Sequence, residues 1–161
     1  MALTPAQQAT LKTAIQADAQ LIAFPHTADG ANQISDLLNL AASPAFTVWK
    51  TSVSNELIGN AMNGTEVIGL SALQMQRLQL LSAYSNGTQD PSRADRRAAF
   101  DGVFSGAGGT ITRPALIALW KRFATRIEKI FATGAGSDAS PANLNFEGSV
   151  SGIEIRDAMG W

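Results

Sequence analysis

The sequence predicts a mainly α-helical fold: a helical-bundle body with a long central core helix, and a glycine-rich C-terminal arm containing a short strand-like segment. Three observations lead there. Leu116, Trp120, Phe123, Ile127 and Ile130 recur at spacings of 4, 3, 4 and 3, the pattern of a helix buried against other helices. Helix-start signals, in which Ser or Thr precedes Gln or Glu by three residues, occur at Thr4/Gln7, Ser71/Gln74 and Ser151/Glu154. Residues 134–141 then lose all periodicity in a Gly/Ala/Ser-rich run, after which residues 143–147 alternate polar and apolar. The expected division is a body over residues 1–132 and an arm over 133–161, in one domain overall.

Each element has a local reason. Thr4 caps and Pro5 suits the first turn of a helix to about Asp18, with Leu11, Ile15 and Ala19 along its apolar stripe. Phe24-Pro25-His26 breaks the chain. A helix over about 30–41 sets Ile34, Leu37, Leu38 and Ala41 on one face. Residues 45–53 are richer in aromatic and β-branched types and read as extended. Ser54 caps a short helix to Met62, ended by Asn63-Gly64. The helix from Ser71 to about Ser85 turns Leu70, Leu73, Leu78, Leu81 and Tyr84 inward, and Asn86-Gly87 stops it. Asp90-Pro91 opens a helix to about Phe104, Ser105–Gly109 is a flexible joint, and the core helix runs from about Arg113 to Ala132. Ser151 caps a last short helix ending near Met159.

Composition narrows the function. A chain of 161 residues fits one domain and buries a core without staples. With no cysteine there is no disulfide framework, thiolate metal site or cysteine nucleophile, and one histidine excludes multi-histidine metal sites. The N-terminal residues lack the basic start and apolar run of a secretory signal, and no apolar run approaches a membrane span. Asn63-Gly64-Thr65 and Asn86-Gly87-Thr88 match the glycosylation sequon and read as turns. The net charge of −1 excludes a uniformly basic nucleic-acid coat. It is unevenly spread. Residues 1–76 carry 2 Lys+Arg and 5 Asp+Glu (−3), 77–130 carry 9 and 4 (+5), and 131–161 carry 1 and 4 (−3). A basic middle between acidic ends can pair head to tail with copies of itself.

Catalytic and cofactor motifs are weak. His26 sits in a turn with no motif around it and reads as a surface or capping histidine. The glycine clusters at 106–109 and 134–136 lack the lysine of a phosphate-binding loop and read as hinges or caps. No acidic pair falls on an apolar helix face. The expectation is a non-enzymatic protein with no cofactor and no metal. The basic residues are the clear asymmetry: Arg93, Arg96 and Arg97 on the first turns of one helix, and Arg122, Arg126 and Lys129 at spacings of 4 and 3 as one stripe on the core helix. They read as a solvated face, a subunit interface or a nucleic-acid surface. On the arm, Leu144, Phe146 and Val150 share a face and the chain reaches Trp161; these residues either fold back on their own body or dock on a neighbour, as exchanged elements of oligomers do.

Four stretches carry a family likeness: Ala42–Thr51 (ASPAFTVWKT), Lys121–Lys129 (KRFATRIEK), Phe131-Ala132-Thr133-Gly134, and Ser140-Pro141-Ala142 through Phe146-Glu147-Gly148. Together they resemble a group of small tailed-bacteriophage proteins that belong with virion assembly. The likeness runs over nearly the whole chain, is firmest from about residue 93 onward, and rests on structural motifs. In outline such a protein is similar to head–tail connector (adaptor) proteins, an analogy of fold. The resemblance implies a homo-oligomeric ring in the virion neck, assembled in the host bacterial cytoplasm. Its partners would be the phage portal and tail or neck proteins, with the DNA passing through the channel a further candidate and no membrane involved. Arg93, Arg96, Arg97, Arg122, Arg126 and Lys129 would meet acidic neighbours, and Leu144, Phe146, Val150 and Trp161 would form a clasp. The competing reading is a small helical DNA-binding or packaging-accessory protein using the arginine clusters.

Overall fold

A computed structural model describes residues 3–161. In chain order the elements are α1 (Pro5–Ala17), α2 (Ala19–Ile22), α3 (Ala28–Asn39), β1 (Thr47–Trp49), β2 (Val53–Ser54), α4 (Asn55–Ala61), α5 (Gly64–Ile68), α6 (Ala72–Ala83), β3 (Thr88–Gln89), α7 (Ala94–Val103), a 3-10 turn (Gly106–Gly109), α8 (Thr112–Leu119), β4 (Lys121–Phe123), α9 (Arg126–Phe131) and α10 (Gly152–Met159). The fold is mainly α. The chain forms two compact units, one from the residues up to Val48 together with Phe123–Trp161, the other from Trp49–Arg122. These boundaries differ from a body ending at residue 132. β1 and β4 pair as a two-stranded sheet, and the chain passes from one unit to the other through them.

In the first unit, α3 packs on α10 and both lie against α1 or α9. Leu11, Ile15, Ile34, Leu38, Ile127 and Ile155 are fully or almost fully buried there. Each such side chain contributes about 1.5–3 kcal/mol on leaving water. The capping boxes at Thr4 and Ser151 form as the sequence predicts.

The long core helix does not form. Residues 113–132 fold as α8, a turn at Trp120, β4 and α9. Two causes compete with helical periodicity. Thr125 and Glu128 make a capping box that restarts a helix at Arg126. The backbone before it is taken by the segment over 40–46: the Ala124 N–H donates to the Phe46 carbonyl, that of Ala42 to Ala124, and that of Arg126 to Leu40. Leu116 and Trp120 consequently belong to the core of one unit and Ile127 to that of the other, while Phe123 is 69% exposed.

The second unit packs α4 on α8 and α6 on α7 around Val53, Ile58, Leu78, Phe100, Val103, Phe104, Leu116 and Trp120. The capping box at Ser71 forms here too. Asn63-Gly64 opens α5 as well as closing α4, because the Asn63 side chain accepts from the Glu66 N–H. Asp90 does not cap α7. It accepts from Ser92, and the helix begins three residues later than expected, after Arg93. The glycine joint is a 3-10 turn pressed on the preceding helix end, where a Cβ at Gly109 would overlap the Phe104 carbonyl.

Candidate functional site

The six basic residues singled out from the sequence are divided between the two units, Arg93, Arg96, Arg97 and Arg122 in one and Arg126 and Lys129 in the other. Arg93 makes a bidentate pair with Asp95, at 2.6 and 3.1 Å, and that hydrogen bond holds the Asp95 carboxyl below the usual carboxylate range. Arg97 donates to the Pro91 and Ser92 carbonyls, and its guanidinium lies 4.2 Å from the ring centre of Trp49. Both act within their own unit. The expected stripe of Arg122, Arg126 and Lys129 is broken by the chain: Arg122 is on β4 and the other two are on α9. Arg126 bonds Asp18 at 2.8 Å, and Lys129 stands 5.6 Å from the Phe46 ring centre.

The arm is not a projecting clasp. Phe146 and Val150 are buried in the core of the first unit, Phe146 against Phe131 with ring centres 5.3 Å apart. Leu144 packs beside Val48, Ala124 and Ala142. Trp161 stacks on His26 at 4.3 Å, so this histidine supports the chain end. Backbone bonds fix the approach to these residues: Thr133 and Asn143 exchange a pair at 2.8 and 2.9 Å, and Ala142 donates to Thr47. Gly136, at φ +66°, sits where a Cβ would strike the Phe46 ring. The glycines of the arm permit close packing.

An exposed apolar stripe lies on α6. Its buried face carries Gln74, Leu78 and Leu81, with the Gln74 amide donating to the Val103 carbonyl at 2.7 Å. A second stripe, Leu73, Arg77, Leu80 and Tyr84, recurs at spacings of 4, 3 and 4 and faces solvent, with Tyr84 78% exposed. Leu73 and Tyr84 were expected inward; their own helix turns them outward because Leu78 and Leu81 already occupy the inner face. Between this stripe and α7 runs an open groove of about 520 Å³, lined by Arg77, Leu80, Tyr84, Arg96 and the small residues Ala98 and Gly102. Of the six basic residues named from the sequence, Arg96 alone lines it. Arg77, Leu80 and their spacing from Leu73 were legible signals that the leucine count on α6 exceeds what one face can bury.

A second, smaller cavity of about 280 Å³ in the same unit is apolar and lined by Trp49, Phe100, Leu116, Ile117 and Trp120, with Arg97, Arg113 and Asp101 also at its wall. The Trp120 indole N–H is buried without a hydrogen-bond partner among the described residues.

Glu66 closes this unit over α8. Ile111 offers no capping side chain, so the N-terminus of α8 is capped from 45 residues away. The Glu66 carboxylate accepts from the N–H groups of Ile111 and Thr112 at 2.9 and 2.8 Å and from the Thr110 hydroxyl at 3.2 Å. Desolvation works to raise this carboxyl, but the hydrogen bonds, that of Thr112 foremost, outweigh it and hold the pKa at about 2 against an ordinary 4.5. A depressed folded-state pKa contributes stability above the unfolded value and loses it as pH falls. Glu66→Gln is therefore expected to lower the thermal midpoint at neutral pH, with the gap to the parent chain narrowing from pH 4.5 downward and closing near pH 2. Thermal melts across that range test this; a gap that does not vary with pH would contradict it.

Among the described residues no helix is long and apolar enough to cross a membrane. Comparison with protein-family models, with curated proteins and with solved structures found no match to this chain.

Proposed function

We propose that the protein is a non-enzymatic structural component of a tailed-phage virion, a head–tail connector that forms a homo-oligomeric ring in the neck and joins portal to tail. The observation that carries this reading is the separation of charge between the two units. Trp49–Arg122 holds 8 Lys+Arg and 5 Asp+Glu, net +3; the remainder of the chain holds 4 and 8, net −4. One chain thus presents two bodies of opposite sign, which favours head-to-tail contact between copies, and a heterologous contact closes into a ring when its rotation fits. The solvent-facing Leu73/Leu80/Tyr84 stripe supports the same reading, since it adds apolar contact area to the basic unit.

In this reading the interface role passes from the arm to α6 and α7, with Arg96 retained from the basic set. The arm residues Leu144, Phe146, Val150 and Trp161 serve the fold of their own unit. Mass photometry of the purified protein, alone and with portal, is expected to show a discrete oligomer and its association with portal. Monomer alone at every concentration, with no portal association, would overturn the reading. A DNA-binding protein would instead show affinity for duplex DNA at low ionic strength that falls steeply with salt.

A further inference from the structure

The α6/α7 groove is an open volume of about 520 Å³ lined by residues of both helices. Its α7 lining includes the small residues Ala98, Ala99 and Gly102, which leave room for another backbone to approach closely. Leu80, Leu81 and Tyr84 supply an apolar wall from the α6 side, and Arg77 and Arg96 add two positive charges to the lining. On the oppositely charged unit, α3 buries Ile34, Ser35 and Leu38 and turns a different face outward. That face bears Asp29, Gln33 and Asp36, all exposed, and runs on to Leu40, 58% exposed at the helix end. Their spacings of 4, 3 and 4 match those of Leu73, Arg77, Leu80 and Tyr84 on α6.

We infer that the α6/α7 groove binds the exposed face of α3 from a second copy of this chain, with Asp29 and Asp36 against Arg77 and Arg96 and Leu40 against the apolar wall. The inference rests on the self-assembly proposed above and names its contact. Laying an amphipathic helix in a groove is a recurrent recognition mode, read out by residues three and four apart. The contact is heterologous, because groove and ligand helix are different parts of the chain. Each copy therefore offers one unused groove and one unused helix, and addition continues until the ring closes. The occupant is a second copy because the exposed acidic helix face that the two arginines call for is present on the oppositely charged unit of this same chain.

The experiment uses full-length protein and charge reversal at exposed or half-buried positions, with far-UV circular dichroism confirming the fold of each variant. Arg77→Glu/Arg96→Glu and Asp29→Lys/Asp36→Lys are each expected to weaken self-association at least about tenfold, because like charges then face each other across the contact. An equimolar mixture of the two variants is expected to restore it, since every groove in the mixture meets a matching helix on the other variant. The chain with all four reversals should likewise reassemble. Sedimentation velocity reads all four cases. If the parent chain assembles but the reversals leave assembly unchanged, or the mixture fails to restore it, this contact is wrong and the connector reading stands. If the parent chain is monomeric at every concentration and does not associate with portal, both fail.

Discussion

Ending the chain after Gly148 is expected to unfold the unit that contains α1, α3 and α9, and not to release a dispensable arm. The removed residues include Val150, Ile155, Ala158 and Met159, all buried in the core of that unit. Val150 is also tied to α3 through both of its backbone groups: the Asn39 amide donates to the Val150 carbonyl at 2.8 Å, and the Val150 N–H donates to the Asn39 side-chain oxygen at 3.0 Å. α10 is the element most extensively packed on α3. Truncating one buried Ile to Ala costs about 2–5 kcal/mol, and whole domains are stable by only about 5–15 kcal/mol. Losing four buried apolar side chains together with the capped helix α10 exceeds that margin. Circular dichroism and thermal melts of the truncated chain should show loss of helical signal and of a cooperative transition. Ile155→Ala supplies a milder version that stays folded, with an expected loss of about 2–5 kcal/mol in chemical denaturation. A truncated chain with an unchanged melt would mean that α10 is peripheral.

What the sequence disclosed and what it hid follow from the range of the interactions involved. Capping is local, so Thr4, Ser54, Ser71 and Ser151 were readable as helix starts and all four act as such. Residues 113–132 misled because apolar spacing and capping point in different directions there. The 4-3-4-3 apolar series favours one helix, yet Thr125 and Glu128 carry the same capping signal recognised elsewhere, and the backbone over 40–46 supplies the hydrogen bonds that decide the matter. That second cause is non-local and leaves no mark in the segment itself. The same holds for the arm: nothing within residues 134–150 announces that Phe46 and Thr47 lie against it. The groove was partly legible. At 100° per residue Leu73, Leu78, Leu80 and Leu81 spread over an arc of about 160°, wider than the roughly 100° stripe a helix turns to one neighbour; which edge of that arc is inside depends on α7, through Val103 and the Gln74 bond to it.

Phe100→Ala is expected to destabilise the unit formed by Trp49–Arg122 by about 3–5 kcal/mol, the usual cost of truncating a buried aromatic ring. Phe100 is 2% exposed and meets the Trp120 ring edge-on, with centroids 5.5 Å apart and planes at 70°. Its ring also forms part of the wall of the 280 Å³ cavity. Deleting it enlarges a void that neighbours already leave open, which limits how far they can close in to recover contacts. Chemical denaturation followed by tryptophan fluorescence in a Trp161→Phe background reads this unit, because Trp49 and Trp120 belong to it and Trp161 does not. Trp120→Phe makes the instructive contrast. It removes apolar area, but it also removes an indole N–H that is buried without a partner among the described residues, and an unsatisfied donor of that kind costs about 1–3 kcal/mol in the folded state. The two changes oppose each other, so Trp120→Phe should cost much less than Phe100→Ala despite replacing the larger ring. A loss for Trp120→Phe as large as that for Phe100→Ala, although it removes fewer atoms, would contradict this expectation.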